Sequence, residues 1–173
     1  MNINGSLGWN ETNGVRTIIQ CIHEPQIQRS SGDIMGDESI IAALNKALAW
    51  ELRAVAMYAH YSAYVSGIHR PHLSVYFSNE VNESITHAST VRSAIVKLDG
   101  KAITERSPEE IVHTHDYSIM LEEAYKTEKI ASGTYQSILP MIEELGDDEL
   151  YDSLEVIYFD EMRSVEELRM MLK

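Results

Sequence analysis

Residues 36–58 read GDESIIAALNKALAWELRAVAMY, and their pattern is the clearest indication of the fold class. Its apolar residues recur at steps of three, four and seven, which is the period of an amphipathic α-helix: Ile41, Leu44, Leu48, Val55 and Tyr58. Asp37 or Ser39 can cap this helix by accepting a bond from its free amide hydrogens. The segment therefore predicts a long first helix with one buried face, ending at Gly67.

Three later segments have the same helical period. We expect the second helix from Arg70-Pro71 to Asp99-Gly100, the third from near Asp116, and the fourth after Gly146-Asp147-Asp148. A long loop separates the second helix from the third, and no segment has the two-residue alternation of a strand. The sequence therefore predicts an all-α fold, a four-helix bundle with a long crossover between helices 2 and 3.

The first 36 residues differ from the rest, because they contain five glycines and no sustained apolar period. We interpret residues 1–36 as a poorly ordered N-terminal extension without a secretory signal, and residues 37–173 as the bundle domain.

The amino-acid composition excludes several classes of protein. Hydrophobic residues make up 44% of the chain and charged residues 24%, which is typical of a soluble globular protein. Acidic side chains outnumber basic ones by 27 to 14, so the net charge of −13 argues against nucleic-acid binding. No apolar run is long enough to cross a membrane. Cys21 is the single cysteine, so no intrachain disulfide can form and we expect a cytoplasmic protein.

Each predicted helix has an apolar stripe, the row of apolar residues on its buried face, and a charged or titratable residue interrupts each stripe. Glu51, His87, Glu128 and Glu161 fall on the inward faces of the four helices, one per helix. A single inward Glu often lies at the edge of a stripe, and a single inward His is often a hydrogen-bonded core residue. Four together, with no Lys or Arg at inward positions, need a counter-charge. A bound divalent cation is the simplest one.

Three motifs carry a family resemblance. Residues 36–52 closely resemble the first helix of bacterioferritin, and residues 128–135 (EKIASGTY) and 159–162 (FDEM) look like its third-helix and fourth-helix motifs. Glu51 precedes His87 by 36 positions, as the family pattern requires. Over residues 35–172 the chain therefore resembles bacterioferritin, within the ferritin-like superfamily.

The resemblance implies oxidation of Fe(II) at paired irons, with storage of the product inside a hollow shell. It makes Glu51, His87, Glu128 and Glu161 metal ligands, and it places Tyr58 beside the di-iron centre. Glu51, Glu161 and Tyr58 are accordingly the candidate catalytic residues. The implied cofactor is Fe, one or two ions per chain, with Mn or Zn as alternatives.

Two ligand positions depart from the family pattern. The resemblance implies Glu at 84 and His at 164, where this chain has Ser84 and Ser164. One metal position keeps Glu51, His87 and Glu161, whereas the other keeps only Glu128 and the shared Glu161. We therefore expect one tight Fe(II) per chain and slow or absent oxidation of paired iron.

Two further acids are candidate replacement ligands. Glu83 lies four residues before His87 and Glu80 seven residues before it, so all three lie near one helical face. A local π-bulge would turn Glu83 inward. Alternatively, both acids belong to an acidic inner surface, and the sequence leaves this open.

Other family features are absent. Ile85 occupies the position of the haem-binding methionine, so haem binding by that mode is not expected. The family's short fifth helix has no counterpart before Lys173, so we expect an antiparallel homodimer and leave the larger shell open. His113 and His115 form a His-x-His pair in the predicted crossover, which we interpret as a surface pair without a metal role.

Three functions therefore stay open. The first is an iron-binding, bacterioferritin-like protein with ferroxidase and storage activity. The second is a degenerate, non-catalytic subunit that assembles with an active ferritin-like partner in a hetero-oligomer. The third is a mononuclear metal-dependent oxidase of another substrate.

Overall fold

The computed structural model describes residues 31–173, with side chains from Glu38 onward. Its helices are α1 Ser31–Tyr64, α2 Arg70–Lys97, α3 Tyr117–Leu145 and α4 Asp148–Met171, with a short 3-10 turn, Gly67–His69, between α1 and α2. These helices make up 82% of the described residues, which contain no strand. The predicted all-α bundle is therefore confirmed.

Most helix boundaries follow their local sequence signals. Pro71 lies in the first turn of α2, where its missing N–H is not needed. Asp116 caps α3 by accepting a hydrogen bond from the backbone N–H of Ser118 at 2.9 Å. Gly146 ends α3 with a φ of 74°, a left-handed conformation that glycine adopts without strain. Asp147 then caps α4 through the N–H of Leu150.

The first helix begins earlier than predicted. It starts at Ser31, so Asp37 and Ser39 lie inside α1 and not at its N-cap, and residues 31–36 of the predicted extension are helical. A single Gly36 does not end a helix, because glycine costs only about 1 kcal/mol relative to alanine there. The disorder predicted for residues 1–30 lies outside the described residues.

The crossover, residues 98–116, runs alongside α1 from one end of the bundle to the other. Asn45 hydrogen-bonds the backbone of Lys101 and Ile103, and Ser107 donates its N–H to the carbonyl of Ala49 at 2.8 Å. Because this connection returns the chain along the bundle, α2 and α3 are parallel. That connection distinguishes this architecture from a simple up-and-down bundle.

Two hydrophobic clusters fill the two halves of the bundle. The aliphatic cluster lies near the start of α1, and its buried members are Ile40, Leu44, Ala47, Leu48, Ala88, Val91, Ala94, Ile95, Tyr135, Ile138, Leu139, Ile142, Leu150, Leu154 and Ile157. The aromatic cluster lies near the end of α1, with Ala54, Met57, Tyr58, Tyr61, Val65, Phe77, Met120, Leu121, Ala124 and Leu168. On every helix, buried polar residues separate the two clusters.

A helix that spans a lipid bilayer must be both long and predominantly apolar. Within residues 31–173, no helix combines the length and apolar character needed to span a bilayer.

Candidate metal centre

The four residues that interrupt the apolar stripes all lie in the polar layer between the clusters. Glu51, His87, Glu128 and Glu161 expose 2%, 5%, 4% and 4% of their surface. Each comes from a different helix, since α1 to α4 contribute one residue apiece. The sequence prediction that these residues point inward is therefore confirmed, whereas metal binding by them stays a prediction.

Three of these side chains converge on one point. The His87 Nδ1 atom lies 2.9 Å from Glu161 Oε1 and 3.7 Å from Glu51 Oε1. One ligand atom from each of the three lies within 4.8 Å of the others. Two carboxylates and an imidazole at this spacing are a sufficient donor set for a divalent transition metal.

Two tyrosines hold the carboxylates in a reciprocal pattern across α1 and α3. Tyr58 on α1 donates its hydroxyl to Glu128 on α3, and Tyr135 on α3 donates its hydroxyl to Glu51 on α1, at 2.6 Å. The family resemblance implied a place for Tyr58 beside the centre, whereas no polar role was predicted for Tyr135. The signal was present, because Tyr135 follows Glu128 by seven residues, as Tyr58 follows Glu51.

Glu80 faces the same layer. Its exposed fraction is 8%, and burial raises its pKa to about 8, with the nearby Glu128 carboxylate as the next largest cause. Ser84 is also buried, one turn further along α2 at the position where the resemblance implied a ligand. α2 therefore supplies a carboxyl group near Glu128, but from Glu80, one turn before Ser84.

Glu83 takes a different position. It is half-buried and forms an ion pair with Arg163, which also pairs with Asp160 at 2.7 Å. Of the two alternatives left open by the sequence, the π-bulge that would turn Glu83 inward is absent, because α2 is a continuous α-helix over Arg70–Lys97. Glu83 therefore lies at the edge of the centre, where it forms an outer group with His87 and Asp160.

Asp160 was not anticipated from the sequence. Its Oδ2 atom lies 3.6 Å from Nε2 of His87, on the side of the ring opposite Glu51 and Glu161. A carboxylate at this distance attracts a proton on Nε2 electrostatically, which favours the ring orientation in which Nδ1 faces the centre.

The electrostatics of the centre indicate a missing positive charge. Burial raises the pKa of Glu51 and of Glu161 to about 8 and that of Glu128 well above its usual value, while burial lowers the pKa of His87. Glu161 Oε2 is buried and receives no hydrogen bond from the described residues. The donor set therefore fits a divalent cation, which would bind this oxygen and neutralise the carboxylates.

A buried arginine nearby does not supply that charge. Arg53 exposes 4% of its surface, but its guanidinium donates to Thr127 and to the backbone carbonyls of Glu109 and Glu110 in the crossover. The guanidinium also lies over the Trp50 ring, 5.3 Å from its centroid. The expectation of no buried Lys or Arg is therefore wrong for Arg53, but this residue ties the crossover to α1 and does not pair with the carboxylates.

The fold and this donor set define a four-helix bundle with a carboxylate–histidine centre between its helices. Residues 41–173 match the model of the ferritin-like domain, so the chain belongs to the ferritin-like family. The predicted membership of the ferritin-like superfamily is therefore confirmed. No curated protein sequence matches the chain significantly.

Solved structures agree with this assignment. A ferritin-like, diiron-carboxylate protein from Bacillus anthracis is 31% identical, with a TM-score of 0.76 over 80% of this chain and 98% of its own. The dodecameric thioferritin of Bacteroides fragilis is 23% identical, with a TM-score of 0.72 over 79% and 85%. The bacterioferritin of Desulfovibrio desulfuricans is 22% identical, with a TM-score of 0.69 over 80% of each chain. The last two similarities concern the fold alone.

Proposed function

We propose that the chain binds iron and oxidises Fe(II) at the carboxylate–histidine centre in the polar layer, called the mid-bundle centre below. We propose that this reaction serves iron storage or detoxification. The observation that supports this proposal is a group of four buried carboxyl groups, those of Glu51, Glu80, Glu128 and Glu161, in the same polar layer as His87. No lysine or arginine among the described side chains forms an ion pair with any of the four. The related Bacillus anthracis protein, described as diiron-carboxylate, supports iron as the cation.

The centre offers two unequal metal positions. Glu51, His87 and Glu161 would hold the first ion, which agrees with the tight position expected from the sequence. Glu128 and Glu80, with the free oxygen of Glu161, would hold the second. Four carboxylates carry four negative charges, which two divalent cations neutralise. Charge balance thus favours two ions over one, with Glu80 in place of the ligand lost at Ser84.

The chain's own residues account for the rest of the proposed reaction. Each Fe(II) gives up one electron, and two such electrons with two protons reduce O₂ to H₂O₂, or H₂O₂ to water. Carboxylates favour this change because they stabilise the harder, more highly charged Fe(III). Tyr58 and Tyr135 keep Glu128 and Glu51 in place, and burial raises the pKa of both phenols, so they act as donors.

A specific observation favours a second candidate. Ser164 is buried in the layer at 3% exposure, and its hydroxyl is a poor substitute for an imidazole ligand. If Glu80 is not a ligand, the chain holds one metal ion. It would then be either a mononuclear oxidase or a degenerate subunit of a hetero-oligomer with an active ferritin-like partner.

We further propose that the chain acts as a homo-oligomer in the cytoplasm, beginning with a dimer. Several large apolar side chains are exposed on the outside of the bundle, including Ile85, Val156 and Phe159 at 51%, 61% and 59%. Where such side chains form one contiguous patch, the patch often marks an interface, and between copies of one chain the same patch is used on both. The dodecameric thioferritin is an example of a related fold that assembles.

The decisive experiment is an anaerobic Fe(II) titration of the full chain, reported as ions bound per chain, followed by exposure to O₂. We expect two ions with different affinities, and oxidation on exposure. Glu80→Gln should lose the weaker ion and slow oxidation. Glu83→Gln is the matched control, because that acid lies three residues away on α2 and pairs with Arg163.

Each of the other possible results of this titration would indicate a different function or a different ligand. One ion in the unmodified chain, unaffected by Glu80→Gln, would identify a mononuclear site. No bound ion would identify a non-catalytic subunit. Loss of the second ion in Glu83→Gln, but not in Glu80→Gln, would reassign the ligand.

A further inference from the structure

A cluster of three histidines lies outside the mid-bundle centre, where α1 meets the end of the crossover. His113 and His115 are exposed, as the sequence predicted. The tertiary structure adds His60 of α1, whose Nε2 atom lies 3.0 Å from Nδ1 of His113. We propose that His60, His113 and His115 form a second metal site, selective for Zn²⁺ and similar borderline transition-metal ions.

The spacing of the rings matches that of imidazoles on one ion. With Zn–N bonds of about 2.05 Å at the tetrahedral angle, two ligand nitrogens lie about 3.3 Å apart and their ring centroids about 5.2 Å apart. The centroids of His60 and His113 are 5.2 Å apart, and those of His113 and His115 are 5.4 Å apart. His113 therefore occupies the middle of the set: its Nδ1 atom lies at ligand spacing from His60, and the His115 ring, at a matching centroid distance, would turn to bring a nitrogen to the same ion.

The facing nitrogens also have the right chemistry. A ring nitrogen binds a metal only when it carries no proton, and a neutral imidazole can move its single proton to the other ring nitrogen. In the metal-free chain one of the two facing nitrogens of His60 and His113 donates to the other. On metal binding, that proton shifts to the nitrogen on the far side of its ring, so both facing nitrogens become ligands without loss of a proton.

The surroundings hold the three rings together. The Tyr64 ring packs against His60, His113 and His115 at centroid distances of 4.4, 4.7 and 5.6 Å. His115 is anchored at its backbone, because Ser66 donates its hydroxyl to the His115 carbonyl at 3.5 Å. A shared aromatic neighbour reduces the side-chain freedom that metal binding would otherwise remove.

Donor type separates this site from the mid-bundle centre. The histidine cluster offers only imidazole nitrogens, which suit Zn²⁺, Cu²⁺ and Ni²⁺, whereas the centre is rich in carboxylates, which suit Fe and Mn. Fe²⁺ binds a given nitrogen site more weakly than Zn²⁺ does. A metal ion at the cluster would also fasten the end of the crossover to α1, far along the chain from the contacts of Asn45.

The test is Zn²⁺ binding to the metal-free full chain, measured by competition with a chromogenic chelator. The double variant His60→Ala/His113→Ala should bind one Zn²⁺ fewer per chain than the unmodified protein. The matched control is His69→Ala/His72→Ala, which removes two exposed histidines near the same end of the bundle. That control should bind as many Zn²⁺ ions as the unmodified protein.

Single variants test the arrangement of the ligands. His113→Ala should weaken the affected Zn²⁺ class at least tenfold, because it removes the central ligand, and His115→Ala should weaken it less. Fe(II) oxidation should be the same in all these variants, since none of them is in the mid-bundle centre. Equal Zn²⁺ occupancy and affinity in the unmodified protein and in the His60→Ala/His113→Ala variant would overturn the proposal. So would an equal loss in the control variant.

Discussion

The aliphatic cluster and the polar layer beside it are equally buried, but they affect stability in opposite directions. Leu44 and Leu48 are fully buried, and Glu51 is buried to nearly the same extent one turn along the same helix. Burying a leucine stabilises the fold by about 1.5–3 kcal/mol, whereas burying an unpaired carboxylate destabilises it by several kcal/mol. Burial alone therefore does not make a residue structural. The aliphatic cluster stabilises the bundle enough to tolerate a layer of buried carboxylates that no lysine or arginine among the described side chains neutralises.

The largest difference between the two regions should appear on changing pH. Burial raises the pKa of Glu51, Glu80 and Glu161 to about 8, against 4.5 in an unfolded chain. Between these values the folded state binds more protons than the unfolded state, so stability falls as pH rises. We expect metal-free protein to lose on the order of several kcal/mol of unfolding free energy across this range. Urea unfolding followed by circular dichroism measures it.

The cleanest window for this measurement is pH 6.5 to 8. Burial lowers the pKa of His87, which opposes the carboxyl effect below pH 6.5 by destabilising the folded state as pH falls. Added Zn²⁺ should flatten the curve, because it replaces the protons on the carboxylates. Without metal, Glu161→Gln should make the fall in unfolding free energy between pH 6.5 and 8 smaller, because it removes one of the buried carboxyl groups. A metal-free stability that rises from pH 6.5 to 8 would show that the carboxylates are not buried as described.

The next largest effect concerns the aliphatic cluster alone. Leu44→Ala removes a fully buried side chain and should lower the unfolding free energy by about 3 kcal/mol, through lost burial and the cavity left behind. The number of Fe(II) ions per chain should not change. Val96→Ala, at an exposed position of α2, is the control and should stay within about 0.5 kcal/mol. A loss of iron in Leu44→Ala would mean that the two regions are not separable.

A smaller effect is expected at the arginine that joins α1 to the crossover. Arg53→Lys replaces a planar donor that reaches Thr127 and two backbone carbonyls, at 2.8, 3.3 and 2.6 Å, with a single ammonium group. We expect a loss of about 2 kcal/mol from the free energy of unfolding and faster tryptic cleavage within residues 98–116. Arg169→Lys, a surface position, is the control. Equal cleavage in both variants would argue against a role for Arg53 in holding the crossover.

The smallest effect sharpens the comparison within the layer itself. Ser84→Glu together with Ser164→His restores the two ligands that the family resemblance implies, and it should tighten the weaker Fe(II) position about tenfold. The metal-free double variant should also be less stable at pH 8, since it buries a further carboxylate. Ser89→Glu with Ser93→His introduces the same side chains at exposed positions and is the matched control. Unchanged Fe(II) binding in the Ser84 and Ser164 double variant would mean that these positions do not face the ion.

Much of the centre could be predicted because its residues break a regular pattern. Apolar periodicity gave the number of helices, and Glu51, His87, Glu128 and Glu161 stood out as charges on apolar faces. The start of α1 was missed because a single glycine is a weak helix-stop signal. Asp160 and Arg53 were missed for a different reason. Each acts through a partner on another element, so nothing local in the sequence marks it.

Periodicity and spacing along the chain predict four helices, a long crossover, four inward titratable residues and a family resemblance. They do not predict that Glu80 faces the layer while Glu83, three residues away, pairs with Arg163, which depends on how the helices pack. The tertiary structure alone brought Tyr135 to Glu51 and His60 to His113, across 84 and 53 positions of the chain. The physical reason is that one residue turns a helix by about 100°, so a small error in helix phase changes which acid points inward. Contacts between elements then depend on how the helices pack, which the spacing along any one helix does not specify.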